Sequence, residues 1–426
     1  MKRYLLTFLL LGACISWLSA QRTLIHCGNL IDGVSDQAQS KMTIIVERDR
    51  ITGVEKGYLK AQKEDEVIDL KDRTVMPGLM DMHVHLEFES SPSTYLDRYR
   101  LNEADVAFRA AVYAKRTLMA GFTGVRDLGG TGVNTALRNA IELGLTEGPR
   151  VYSAGKAIAT TGGHADPTNG SSRALMGDPG PAEGVVNGPA DAAKAVRQRY
   201  KNGADNIKIT ATGGVLSVAK DGSGPQFSDE ELTAIIQTAK DYGMITAAHA
   251  HGAEGMKRAV AAGITSIEHG TMMTEEVMDL MIEKGTYYVP TITAGKAVEE
   301  KAKIKGYYPA VVVPKALAIG PQIYNTFGKA YKRGVKICFG TDAGVFTHGE
   351  NGKEFYYMTQ AGMPAMEAIQ SATMTPALML GIEEDLGSIE AGKYADIIAT
   401  DENPLVEIET MQRVSFVMKG GKVYKE

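Results

Sequence analysis

Short apolar segments alternate with helical patterns across residues 76–384, and this alternation constrains the fold more than any other feature. Eight such segments end at or near His85, Asp127, Lys156, Ile209, Ala250, His269, Ile292 and Asp342. Strands that alternate with helices indicate a parallel sheet. Eight repeats favour a (β/α)8 TIM barrel over the alternative, an open doubly wound sheet. A glycine-rich dinucleotide fingerprint after a strand would favour the open sheet, and the sequence has none.

The two ends of the chain share a second pattern. Residues 21–75 and 385–426 carry short runs of β-branched and apolar residues separated by Gly, Asp and Asn, which is typical of strands and turns. The simplest arrangement folds both ends together. We therefore predict an α/β protein with a small β-sandwich-like domain built from both ends and the barrel, residues 76–384, inserted between them.

Residues 1–20 are expected to be a signal peptide and not part of the fold. Lys2 and Arg3 precede the apolar run 4–13, and small residues end at Ala20, which is the layout of a secretory signal. The chain is therefore expected to be exported, to the periplasm of a bacterium. The alternative is a lipobox at 11–14, in which case lipid attached to Cys14 would anchor the protein to a membrane.

Charge and cysteine content exclude several classes of partner. The net charge is only −5 and no Lys/Arg-rich tract occurs, so nucleic acid is not an expected partner. The three cysteines, Cys14, Cys27 and Cys338, do not form a disulfide framework or a zinc-finger pattern. A small molecule is the expected partner, and association into a homo-oligomer is left open.

Side chains that bind metals stand at the predicted strand ends. His83 and His85 are two residues apart and therefore project from the same face of a strand. Lys208, His249, His269 and Asp342 occupy the fourth, fifth, sixth and eighth segments; they complete the candidate set. Functional residues of a barrel lie at the carboxyl ends of its strands, so these six side chains are expected to meet and to bind metal.

A lysine among metal ligands needs a chemical reason, because an ammonium ion would repel cations. Burial lowers the pKa of a lysine and makes the neutral amine accessible. The neutral amine of Lys208 can react with carbon dioxide to give a carbamate, which is an anionic oxygen ligand. The alternative for Lys208 is an ion pair with a nearby carboxylate.

With these residues in place, the chain resembles the amidohydrolase superfamily, in the branch of metal-dependent Xaa-Pro dipeptidases (prolidase-like) and imidazolonepropionase-related proteins. The resemblance covers nearly all of the chain after residue 20. It is carried by Met76 to His85, Thr160 to His164, Lys208 to Leu216, Ala248 to Gly252, Ser266 to Thr271, Gly340 to Gly344 and Gly387 to Asp396. The ligand set is specific for the superfamily and much less specific for the substrate.

The resemblance implies a binuclear centre with zinc as the usual metal. His83, His85 and Asp342 would hold the more buried metal, His249 and His269 the other, and N6-carboxylated Lys208 would bridge them together with a hydroxide. That hydroxide would attack a polarised carbonyl carbon. Asp342 would accept the proton as general base and deliver it to the leaving nitrogen as general acid.

Three further side chains are candidates for substrate contact. His164 lies in the loop after the third segment, where the resembled family places a substrate-contacting histidine, so a catalytic role is included. His348 follows Asp342 closely and is a candidate for the pocket lining. Arg126 ends the second segment; it would bind a substrate carboxylate or pair with Asp127, and the pair is the favoured alternative. His251 is expected behind the ligands and not among them.

The function predicted from these features is an exported metallohydrolase that cuts a C–N amide bond in a small substrate, a dipeptide with C-terminal proline above all. The same chemistry on another substrate is the first alternative, either a C-terminal Arg or Lys dipeptide, an N-acyl amino acid or a cyclic amide such as imidazolonepropionate. A non-catalytic binding protein on the same scaffold is the second. It is disfavoured because none of the six positions is replaced.

Overall fold

The computed structural model describes residues 22–218 and 222–426. The predicted signal peptide, with Cys14, lies outside the described residues. Within the described part, no helix combines the length and apolar content that a membrane span requires. Cys27 and Cys338 are both buried as free thiols.

Strands and helices alternate through the middle of the chain, as the sequence predicts. The strands are β1 Arg22–Leu30, β2 Gln39–Glu47, β3 Arg50–Lys56, β4 Glu66–Pro77, β5 Leu79–Val84, β6 Phe122–Asp127, β7 Arg150–Ser153, β8 Ala159–Thr160, β9 Val185–Val186, β10 Asn206–Thr210, β11 Ile245–Ala250, β12 Ser266–His269, β13 Tyr287–Val289, β14 Ile397–Thr400, β15 Phe416–Lys419 and β16 Lys422–Lys425. The helices are α1 Thr94–Arg100, α2 Glu103–Met119, α3 Val133–Glu142, α4 Arg173–Met176, α5 Pro189–Lys201, α6 Asp229–Asp241, α7 Ala253–Ala261, α8 Glu275–Lys284, α9 Ile292–Ala302, α10 Val313–Arg333, α11 Lys353–Gln360, α12 Ala365–Ser371 and α13 Met374–Leu380, with a 3₁₀ turn at Ile408–Gln412.

Both ends of the described chain share one sheet. Its seven strands run in the order β16-β15-β14-β4-β1-β2-β3, so β14–β16 continue the sheet that β1–β4 begin. The strands belong to a single hydrogen-bonded sheet, where the sequence pattern predicts a sandwich-like unit. The sheet has its own apolar cluster, which includes Ile25, Ile44, Ile397 and Phe416.

In the described part of the chain, three sheets are wholly parallel. One contains β5, β6 and β7, the second contains β10, β11, β12 and β13, and the third is the short pair of β8 and β9. Ile158, which lies between β7 and β8, forms a parallel bridge with Ile209 of β10. Helices α2, α3 and α5–α10 follow the strands and bury apolar side chains against them.

The eighth predicted strand is not a regular strand in the structure. Residues 336–343 make isolated parallel bridges instead, from Ile337 to Tyr288 in β13 and from Ala343 to Val84 in β5. Asp342 has a positive φ of 61°, which an extended strand cannot accommodate. The segment therefore links β13 to β5 while its last residues leave the strand conformation.

The start of α6 matches the sequence signal for a helix beginning. Ser228 is the N-cap, its hydroxyl accepts a hydrogen bond from the Glu231 backbone N–H, and the Glu231 carboxylate accepts one from the Ser228 backbone N–H. This reciprocal pattern is a capping box. The predicted capping box is confirmed.

Candidate metal centre

A cavity of about 630 Å³ lies where the parallel strands end, and this volume is in the range of small-molecule sites. Its polar side is lined by His83, His85, His164, Lys208, His249, His251, His269 and Asp342. Its apolar side includes Phe88, Leu128, Val215, Leu216, Val298, Ile319, Ile323 and Val345. The cavity therefore combines groups that can hold and polarise a substrate with walls that exclude water.

The six predicted ligands all reach this cavity, although they come from five separate segments of the chain. One ligand atom from each of His83, His269 and Asp342 lies within 4.8 Å of the other two. The rings of His249 and His269 have centroids 4.7 Å apart. The convergence of these side chains is thus a property of the structure, and the binding of metal by them stays a prediction.

Asp342 faces ring nitrogens and the lysine amine. Its Oδ1 atom lies 3.3 Å from His85 Nε2 and 3.6 Å from His83 Nε2. The Nζ atom of Lys208 lies 3.4 Å from His83 Nε2. Asp342 Oδ1 is buried and has no hydrogen-bond partner within residues 22–218 and 222–426, which is unusual for a buried carboxylate oxygen.

Hydrogen bonds on the far side of each ring determine which nitrogen points into the cavity. His85 Nδ1–H donates to the Gly129 carbonyl at 2.7 Å and His83 Nδ1–H to the Glu268 carboxylate at 2.8 Å. His249 uses its other nitrogen, since Nε2 lies 3.2 Å from the Gly213 carbonyl. A carbonyl or a carboxylate only accepts, so the opposite nitrogen of each neutral ring carries a lone pair.

Burial keeps these rings neutral. It lowers the pKa of His83, His249 and His269 well below the usual value and that of His85 to about 3, because a charged imidazolium loses its hydration in the interior. Lone pairs of His83 Nε2 and His85 Nε2 therefore face the Oδ1 atom of Asp342, and the Lys208 amine lies beside His83 Nε2. Nitrogen and oxygen donors of this kind are those that zinc prefers.

The lysine and the aspartate of the centre are both shifted toward their neutral forms. Burial lowers the pKa of the Lys208 amine and raises the pKa of the Asp342 carboxyl, while each group's charge favours the charged form of the other. A neutral amine is the form that reacts with carbon dioxide. The environment of Lys208 thus meets the chemical requirement for a carbamate.

Backbone strain is concentrated at the cavity. His269, Thr291 and Asp342 have φ values of 68°, 52° and 61°, a left-handed conformation that is rare for residues with a Cβ and rarest for a β-branched one. Thr291 and His269 contact each other, since the Thr291 hydroxyl lies 2.8 Å from His269 Nδ1, and Asp342 is held by its backbone N–H, which donates to the His83 carbonyl at 2.7 Å. Strain of this kind gathers where side chains must be aimed.

His164 lies over the centre, as a substrate contact would. Its ring stacks on His249 with centroids 4.2 Å apart, and its backbone N–H donates to Gln226 Oε1 at 2.8 Å. Burial lowers its pKa to about 4, and its buried Nδ1 has no hydrogen-bond partner in the part of the chain that the structure describes. Gly214 makes room for the ring, since a Cβ at that position would lie 2.1 Å from His164 Cε1.

His348 and Arg126 are not at the cavity surface. The His348 ring stacks on Tyr113 and donates from Nε2 to the Phe88 carbonyl at 2.9 Å, so it supports the loop after β5. Arg126 is completely buried and pairs with Glu268 at 2.8 Å. The favoured pairing of Arg126 with Asp127 is therefore wrong, because Asp127 turns to Asn134 and to backbone N–H groups instead.

Two buried carboxylates behind the ligands were not predicted from the sequence. Glu268 contacts His83 and Arg126. Asp81 accepts hydrogen bonds from the backbone N–H of His83 and from both the N–H and the hydroxyl of Thr341, so it fixes the two ligand-bearing segments to each other. The sequence feature that could have indicated these two carboxylates is an acidic residue within a short strand, in LMDMHV for Asp81 and in SIEH for Glu268.

Comparison with known proteins places this geometry among amide-bond hydrolases. The sequence profile of the amidohydrolase family matches residues 74–424. Ochratoxinase from Aspergillus niger is 32% identical over 433 aligned positions, which cover 95% of this chain and 87% of that protein. A solved Xaa-Pro dipeptidase with methionine in its active site is 56% identical, with a TM-score of 0.93 and coverage of 95% of this chain and 100% of that one. A solved prolidase complexed with N-methylphosphonate-L-proline is 29% identical, with a TM-score of 0.87 and coverage of 95% and 100%.

Proposed function

The chain belongs to the amidohydrolase family, in its prolidase-like branch, and we propose that it is a binuclear metal-dependent dipeptidase that cleaves Xaa-Pro bonds. It is a hydrolase that acts on amide bonds. The observation that carries the finer proposal is the convergence of six metal-binding side chains, with neutral rings and inward lone pairs, on one cavity. The similarity to a Xaa-Pro dipeptidase over 95% of the chain supports the choice of substrate.

The proposal includes a closed (β/α)8 barrel. The bridge between Ile158 and Ile209 supports closure on one side, and the segment 336–343, hydrogen-bonded to both β13 and β5, supports it on the other. A closed barrel brings the carboxyl ends of all its strands around one opening. This arrangement accounts for ligands that are far apart in the chain and adjacent in space.

The ligands divide between two cations in the proposed centre. His83, His85 and Asp342 would hold one, His249 and His269 the other, and carboxylated Lys208 would bridge them. Divalent cations bound there would polarise the substrate carbonyl and lower the pKa of a water molecule to about 7. Zinc is the metal that we propose, from the nitrogen and oxygen donors.

Asp342 carries the proton in the proposed reaction. The Asp342 side chain lines the cavity and its Oδ1 has no hydrogen-bond partner among the described residues, so it can accept a proton from the attacking water. Burial raises its pKa, which favours the protonated form that must then donate to the leaving nitrogen. In a Xaa-Pro substrate that nitrogen belongs to the proline ring and leaves as a secondary amine.

His164 and the apolar wall would orient the substrate. The His164 ring lines the cavity beside the His249 ring, where it would contact a substrate carbonyl or carboxylate. Val215, Leu216 and Ile323 cover the opposite side. These side chains would bury the substrate and exclude bulk water, which would strengthen the electrostatic interactions at the reacting carbonyl.

A second candidate function is supported by one specific observation. Ochratoxinase is 32% identical over 95% of the chain, and the cavity of about 630 Å³ leaves room for an acyl group larger than an amino acid. Hydrolysis of N-acyl amino acids with bulky acyl groups uses the same ligands and the same proton transfer. Only the substrate class differs.

A panel of substrates tests the proposal. Zinc-loaded protein is incubated with Xaa-Pro dipeptides, Xaa-Arg dipeptides and N-acyl amino acids, ochratoxin A included, and free amino acid is quantified. We expect the highest kcat/KM for Xaa-Pro members. Rapid cleavage of the other classes with no Xaa-Pro cleavage would reject the proline assignment, and cleavage of no member would reject the dipeptidase proposal. The Asp342→Asn variant serves as the control for contaminating peptidases.

A further inference from the structure

A buried ion pair lies directly behind the candidate centre. The side chains of Arg126 and Glu268 are both 0% exposed, and Arg126 Nη2 donates to Glu268 Oε1 at 2.8 Å. A carboxylate without solvent is costly unless a counter-charge compensates it. Arg126 supplies that charge, and it also donates from Nε to the Met82 carbonyl and from Nη1 to the Ser266 hydroxyl.

The two oxygens of Glu268 have different partners. Oε1 accepts from Arg126 and from the hydroxyl of Ser266. Oε2 accepts from His83 Nδ1–H at 2.8 Å. Glu268 therefore connects the positive charge on β6 to the ligand histidine on β5, and it does so from β12, next to the ligand His269.

Among the described candidate ligands, His83 differs from the other histidines in this contact. His85 and His249 contact carbonyl oxygens and His269 contacts a hydroxyl, whereas His83 donates to a carboxylate. A carboxylate behind a ligand histidine fixes the tautomer and raises the basicity of the nitrogen that binds metal. The electron-rich Nε2 of His83 points toward Asp342 and Lys208.

We propose that Glu268 is a positioning residue that sets the metal affinity of the centre through His83, and that Arg126 holds the Glu268 carboxylate in place through the buried ion pair. The inference rests on the proposed metal centre. It places Arg126 behind the metal ligands, where Arg126 does not contact the substrate. Because the Glu268 side chain has no exposed surface, it does not contact the substrate, and the ligand that it touches directly is His83.

Zinc affinity, measured by competition with a chromogenic chelator, tests the inference without any substrate. The Glu268→Gln variant leaves the Arg126 charge unpaired and is expected to be destabilised. The informative variant is therefore Arg126→Met combined with Glu268→Leu, because replacing both members of a buried pair with apolar residues of similar volume preserves folding in many proteins. We expect this double variant to bind at least one zinc equivalent roughly 10- to 100-fold more weakly than the unmodified protein.

The matched control is Asp396→Asn, which removes the charge of a buried carboxylate that lies just before β14 and pairs with Arg150 of β7 at 3.0 Å. This control should change the melting temperature and leave zinc affinity within about twofold. Nitrogen-15 NMR of the histidines adds a signature of mechanism, since the Nδ1–H tautomer of His83 should be fixed in the unmodified protein and mixed in the double variant.

The outcomes separate the inference from the proposed function. A folded double variant with unchanged zinc affinity and a fixed His83 tautomer would overturn the role of Glu268 and leave the metal centre intact. An unmodified protein that binds no zinc, or any other divalent metal, would overturn the centre itself. If the double variant loses no more zinc affinity than Asp396→Asn does, Glu268 only stabilises the fold and the proposed role is wrong.

Discussion

Replacing Asp342 with asparagine is expected to lower kcat/KM by about 10³-fold while the protein stays folded. The substitution keeps the size of the side chain and removes the charge and the proton acceptor. The buried carboxylate, whose Oδ1 atom faces His83 and His85, would become a neutral amide group. Asparagine is among the residues that tolerate a positive φ, so the φ of 61° at this position adds little strain.

The measurement is steady-state hydrolysis of the best panel substrate, with a melting curve for each variant. Asp396→Asn is the control for loss of a buried carboxylate, and its activity should stay within about twofold of the unmodified protein. A folded Asp342→Asn variant with more than a tenth of the original kcat/KM would contradict the role of Asp342 as the proton carrier. Loss of activity in both variants would point to a general effect of destabilisation.

Replacing Lys208 with alanine is expected to have a comparable effect by a different route. The variant loses the proposed bridging carbamate, so its affinity for both cations is lower. Metal chemistry supplies several kcal/mol of transition-state stabilisation, and each 1.4 kcal/mol corresponds to tenfold in rate. We therefore expect kcat/KM to fall by at least about 10³-fold and the bound metal to fall below two equivalents.

Lys419 provides a matched control for Lys208. Burial lowers the pKa of both amines, that of Lys419 to about 8. Lys419, however, lies in β15 of the seven-stranded sheet and not at the cavity. Zinc-loaded protein prepared in ¹³C-bicarbonate should show a carbamate carbon signal that Lys419→Ala retains and Lys208→Ala lacks. Full activity of Lys208→Ala, or an unchanged carbamate signal in it, would contradict the assignment.

The sequence was sufficient to predict that the six candidate metal ligands meet at the cavity. His83 and His85 are two apart in a strand, and the other ligands fall at the ends of later segments, so the geometry of parallel strands brings them together. The pattern worked because strand ends are marked by a change from apolar to polar residues. The family resemblance then supplied the division of ligands between two metals, which spacing alone did not give.

Other features depend on contacts that no local pattern encodes. The partner of Arg126 is Glu268, which is 142 positions away, and a neighbour in sequence, Asp127, looked like the natural choice. His348 follows Asp342 closely in the chain, yet its ring turns away from the cavity to stack on Tyr113. The segment before Asp342 departs from a regular strand because the left-handed backbone at Asp342 aims the side chain at the histidines.

Metal content measured together with activity tests the central claim most directly. Purified protein is dialysed against metal-free buffer, analysed by inductively coupled plasma mass spectrometry, stripped with a chelator and reloaded with zinc. We expect two equivalents per chain in the active protein, loss of dipeptide hydrolysis as they are removed, and recovery on reloading. Hydrolysis at the original rate by protein that carries no metal would contradict the account.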